Sequence, residues 1–233
     1  MVKRMRGSRN LQFAEIAASV AYRIADDALK KLLMLAFFAA ALYYGWPHYS
    51  EYIPVFGKPA KRHAPGVLVS EDPYQNLVRN GQSWDKNGYR ITPLASFEMR
   101  GLVLSKHRYS FDREAQLAPI DLALGWGPMS DQAILDHIEI SQSNRWYYFN
   151  YGPDCPLNSR EIAFHSGNMH MIPATEHIEE MLKSVGTGDL VYFSGSLVQI
   201  DGTDGWSWRS SLSRQDDGDG SCEVVWVDQL TIL

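Results

Sequence analysis

The chain opens with a helical pattern. In LQFAEIAASVAYRIADDALKK (11–31), Phe13, Ile16, Ala17, Val20, Ile24 and Ala28 recur every three or four residues, as one face of an α-helix does. The polar face then disappears. The fifteen residues from Leu32 to Trp46, LLMLAFFAAALYYGW, are apolar throughout. That is short of the roughly 20 residues that span a bilayer. Lys30 and Lys31 can snorkel at one end, however, and Tyr43, Tyr44, Trp46 and Tyr49 form an aromatic belt at the other. The expectation is a transmembrane signal anchor over 32–49 and an amphipathic tail over 1–31. A buried core helix and a cleaved signal peptide are the alternatives; the long polar stretch before the apolar run argues against cleavage.

After the apolar run, PHYSEYIPVFGKPAKRHAPG (47–66) carries four prolines in twenty residues, which predicts an extended, semi-rigid arm over 50–92. Within it, SWDKNGYRI predicts a turn at Asn87-Gly88 leading into a strand. From 93 to 233 the periods mix. FEMRGLVLS (97–105) and NRWYYFNY (144–151) predict strands, the latter with Arg145, Tyr147, Phe149 and Tyr151 on one face. SDQAILDHIEI predicts a helix capped by Ser130 or Asp131, with Ile134, Leu135 and Ile138 inward. Asn158 and Glu161 have capping-box spacing for a short helix. ATEHIEEMLKSVG predicts the best helix, capped by Thr175, with Ile178, Leu182 and Val185 inward and Gly186 at its end. DLVYFSGSLVQI (189–200), WSWRSSLS (206–213) and CEVVWVDQL (222–230), joined by Asp-Gly-rich segments, predict an antiparallel meander. The expected fold class is α+β: a transmembrane helix, then one extracytoplasmic domain with an antiparallel sheet and about three helices.

Charge sharpens the topology. Residues 1–31 hold seven Lys/Arg against three Asp/Glu, and the other 202 hold fifteen against twenty-four. With the basic tail inside, the chain is expected in the inner membrane, N-terminus cytoplasmic, acidic body outside. A body this acidic excludes general nucleic-acid binding, which needs a basic face. Seven Trp, twelve Tyr and a hydrophobic content of 45% point to a packed core rather than disorder.

Three stretches, APIDLALGWGPMSD (118–131), HSGNMHMIPA (165–174) and WSWRSSLSRQDDGDGSCE (206–223), resemble a family of bacterial single-pass membrane-anchored proteins. The resemblance implies an anchor and carries no activity. GDLVYFSGSLVQIDG resembles the opening strand of an OB-fold, with a mid-strand glycine where the strand can bend sharply.

Two candidate chemistries follow. Glu161, His165 and His170 lie within ten positions, and an i,i+4 Glu–His pair with a second His suits zinc with an open position for water. The spacing matches no zinc signature such as HExxH, and a structural turn explains the same residues. DDGDGSCE resembles part of a calcium loop through Asp217, Asp219 and Ser221 without the full ligand register. Cys155 and Cys222 are an even count that can form one disulfide. The other chemistry is recognition: Arg145, Trp206, Trp208, Arg209 and Arg214 can border an aromatic surface for a protein or envelope polymer. Strand parity then puts Trp206 and Trp208 inward and Arg209 outward. The leading expectation is a non-catalytic, membrane-tethered binding or scaffold module without cofactor, within a larger assembly. The alternative is a zinc-dependent hydrolase at the envelope.

Overall fold

The computed structural model describes residues 60–213 and 222–233, together with Met34. The expected tail over 1–31, nearly all of the expected span over 32–49 and the first part of the arm lie outside the described residues. Among those described, no helix is long and apolar enough to cross a membrane. The transmembrane signal anchor and the single-pass inner-membrane placement are therefore not upheld.

The α+β expectation is also corrected: the described chain is mostly β. Ten strands run from β1 to β10: Tyr74–Leu77, Trp84–Lys86, Tyr89–Arg108, Ile120–Gly125, Ile138–Ser143, Trp146–Tyr151, Ser166–Pro173, Leu190–Gly202, Ser207–Arg209 and Glu223–Ile232. The three α-helices among the described residues are short: α1 (Gln132–Leu135), α2 (Ser159–Phe164) and α3 (Glu176–Ser184). The helix expected from 130 stops after one turn. Asp131 does cap it, accepting from the Ala133 N–H. From Ile138 the pattern alternates, Ile138 and Ile140 inward and Glu139 and Ser141 outward, and alternation wins as β5.

Five strands close on themselves. β3 pairs with β4, β4 with β7, β7 with β10, β10 with β8, and β8 with β3; only the β7–β10 pair is parallel. Counted over these five strands, the order is 1-2-3-5-4-1 with α3 between the third and fourth, the connectivity of an OB-type Greek-key barrel. β8, expected as the opening strand, is the fourth; the opening strand is β3, twenty residues long. The expected meander is corrected too. β10 and β9 occupy successive stretches of one edge of β8, while β3 takes the other edge from Leu190 to Gly202. At Gly195 β10 comes so close that a Cβ would collide with the Trp226 carbonyl.

Alternation sorts the side chains. Phe97, Met99, Leu122, Leu124, Met169, Met171, Phe193 and Val225 fill the barrel, and Ile178 and Leu182 of α3, with Val185 just after it, pack against them. Lys106 anchors the far end of α3, donating to the carbonyls of Leu182, Lys183 and Val185. Part of the expected arm, residues 60–92, lies against the barrel. Val69 is buried in the core, and β1 and β2 pair with β3, the latter through a hairpin turn with positive φ at Asn87 (53°) and Gly88 (82°).

Candidate functional site

Outward-facing positions of β4 and β7 would meet water on a bare barrel. Asp121 on β4 and His170 on β7 are direct cross-strand partners there, yet they are only 0% and 3% exposed. Two elements cover them. One is the β5–β6 hairpin, whose turn at Asn144 and Arg145 has φ of 50° and 68°; left-handed φ at both residues is the I′ geometry that a two-residue hairpin needs. The other is β9, whose Trp208 ring lies 4.9 Å from the His170 ring.

Arg145 is the hub. Its Nε and Nη2 donate to the two carboxylate oxygens of Asp112 at 2.9 and 2.7 Å. Its Nη1 donates to Asp121 Oδ1 at 2.8 Å and to the Ala118 carbonyl at 2.9 Å. The guanidinium stacks on the Tyr109 ring at 3.7 Å, and the Arg145 N–H donates to Tyr109 Oη at 2.9 Å. Burial opposes the charged guanidinium, but the bonds to Asp112 and the charge of Asp121 outweigh it and raise the Arg145 pKa. Burial first, then Asp121, push the Tyr109 phenol up to about 12. His170 Nδ1 lies 2.9 Å from Asp121 Oδ2, but the contact is off-angle, and neither atom has a hydrogen-bond partner among the described residues. The Arg145 carbonyl accepts from Asn168 Nδ2, and Asn168 Oδ1 accepts from Gln142 Nε2.

A second clamp starts one residue later. Arg113 makes a two-pronged contact with Asp204 at 2.8 Å per bond, donates to Tyr89 Oη, and stacks over Trp206 at 4.5 Å. The β3–β4 loop (109–119) therefore holds the β5–β6 hairpin through Asp112 and the β8–β9 turn through Arg113. The hairpin it fixes is two-faced. Tyr147 and Phe149 pack inward on a third apolar cluster. Trp146 and Tyr148 point the other way, paired across the hairpin with Ser143 and Ser141.

Of the expected binding residues, the structure gathers Arg145 and Trp208 around His170, with Trp206 beside Trp208. Trp206 and Trp208 are half-buried and Arg209 is exposed, as parity predicted. Arg145 is no surface border but a buried tie. Among the described residues Arg209 bonds only to Gln199, and Arg214 lies outside the described residues, as does the Asp217–Ser221 segment. The zinc set is dispersed in role. Glu161 is spent in the capping box with Asn158, His165 Nδ1 contacts the Glu161 carbonyl, and His170 sits in a strand rather than after a turn. Among the described residues, no three His, Cys, Asp or Glu side chains gather to hold a metal. No disulfide joins Cys155 to Cys222. Asp112, Asp121 and Tyr109 escaped the sequence reading. The available signal was Asp121 itself, a lone carboxylate in the otherwise apolar IDLALG.

No protein-family model, no curated protein and no solved structure matches this chain.

Proposed function

We propose that this domain is a non-catalytic recognition module that docks a protein partner on the outer face of the β5–β6 hairpin. One observation carries the reading: Tyr148 is 50% exposed on a hairpin that Arg145 ties rigidly to the barrel. The outer face offers Trp146, Tyr148 and Asn150 opposite Ser143, Ser141 and Glu139. Aromatics among small hydroxyl and amide side chains make contact surface at low entropic cost, the composition of protein-binding surfaces. A hairpin fixed in advance avoids the ordering cost that weakens binding by loose loops.

The buried charges support positioning rather than turnover. Both oxygens of Asp112 and one of Asp121 are occupied by Arg145, and the remaining Asp121 oxygen is fully buried beside His170 Nδ1 rather than presented to a substrate. The excess of acidic over basic residues in the body favours a partner with a neutral or basic surface. The test is affinity capture from cell extract with the full-length chain and with Tyr148→Asp. The variant should melt like wild type and lose the captured partner. A folded Tyr148→Asp chain that retains every partner would move recognition off this hairpin.

A further inference from the structure

The short strand β1 has one edge used and one edge open. The Val78 N–H donates to the Leu94 carbonyl of β3, so by strand alternation Tyr74, Asn76 and Val78 face β3. Gln75 and Leu77 then turn their N–H and C=O groups to the other side, where no described strand pairs with them. Two usual defences of such an edge are missing, for the strand carries no lysine and no bulge, and Tyr74 and Leu77 are 58% and 62% exposed. Charge is split across its ends. Glu71 and Asp72 precede it and Arg79 follows it, all three exposed, with no ion pair to any described residue.

We propose that β1 is a homotypic edge, pairing antiparallel with β1 of a second copy of this chain about a two-fold axis at Asn76. The register follows from which groups are free. With Asn76 on the axis, Gln75 of each copy faces Leu77 of the other as a doubly hydrogen-bonded pair, giving four main-chain bonds. Tyr74 meets Val78, an aromatic opposite a β-branched residue, which is a favourable cross-strand pair. Arg79 falls opposite Pro73, within diagonal reach of the partner copy's Glu71, and the contact occurs twice by symmetry. An acidic start and a basic finish complement each other only when the strand meets itself antiparallel, which is the argument for a second copy over an unrelated peptide.

The register makes a sharp test. Asn76→Cys would place two thiols in a non-hydrogen-bonded pair whose Cα atoms are about 4.5 Å apart, inside disulfide range. The full-length variant should form a disulfide-linked dimer under mild oxidation, whereas wild type, with Cys155 and Cys222 alone, should not. In sedimentation equilibrium, Arg79→Glu should weaken association about tenfold through two repelled pairs. The double reversal Glu71→Arg with Arg79→Glu should restore it. Absence of the cross-link, or a double reversal as weak as the single variant, would overturn the proposal.

Discussion

Arg145 and Arg113 make nearly the same contact in two different surroundings. Each grips an aspartate with two bonds, each involves a tyrosine hydroxyl and each stacks on an aromatic ring. Their settings differ: the Arg145 side chain is 14% exposed, with Asp112 at 34% and its additional partner Asp121 at 0%, whereas Arg113 and Asp204 are 34% and 59% exposed. In water the ion pair competes with hydration and salt and contributes little. Under the hairpin, removal of one member leaves the other charged and unsolvated. The same chemistry is thus a fixed joint on one side of the β3–β4 loop and a replaceable latch on the other.

The buried joint at Arg145 carries the largest effect. Arg145→Ala should destabilise by about 3–5 kcal/mol in urea unfolding, because Asp121 is left buried without its counter-charge. Adding Asp121→Asn should recover part of that loss; a double variant as unstable as the single one would show that packing, not charge, sets the cost. Trp208→Ala, which uncovers His170, should cost about 3 kcal/mol, the low end for tryptophan truncation because the ring is only half-buried. Alkali sharpens the contrast next. Burial raises the phenols of Tyr109 and Tyr147 to about 12. Their folded-state pKa values lie above the unfolded ones, so their stabilisation is complete below pH about 10 and declines as pH rises towards about 12. Tyr109→Phe should flatten that decline in pH-resolved melting. The smallest effect belongs to Arg113→Ala, which should barely move the melting temperature at moderate salt. Asp204, held down to about 2 chiefly by its bonds to Arg113, should add a slight loss of stability only as pH falls from about 4 to about 2.

The parts legible in the sequence were those specified by neighbouring residues. Asn158 with Glu161, Thr175 with Ile178, and Asn87-Gly88 each satisfy their own backbone within a few positions, and each appears where expected. Elements decided by distant pairing were read less well. HSGNMHMIP looks like a turn because of Gly167 and Asn168, but Met169 and Met171 face the core while Asn168 and His170 face the hairpin, so alternation makes it β7. The buried site was half-visible: Arg145 and Trp208 stood out by type, whereas Asp112 and Asp121 acquire meaning only when the loop and β4 converge on one guanidinium.

The parallel β7–β10 pair also sets the order of events in folding. β3 must find β8 roughly a hundred positions along the chain, and β10 then has to be laid beside both β8 and β7 before the cylinder is shut. Contacts of such long sequence separation bring their loop-closure cost early and their reward late, which slows folding. During synthesis, β3, β4, β7 and β8 therefore emerge as an open sheet whose seam between β7 and β8 stays unpaired until residues 223–232 arrive. A nascent chain held in that state is a natural client for chaperones, and translation pauses before β10 would lengthen its exposure.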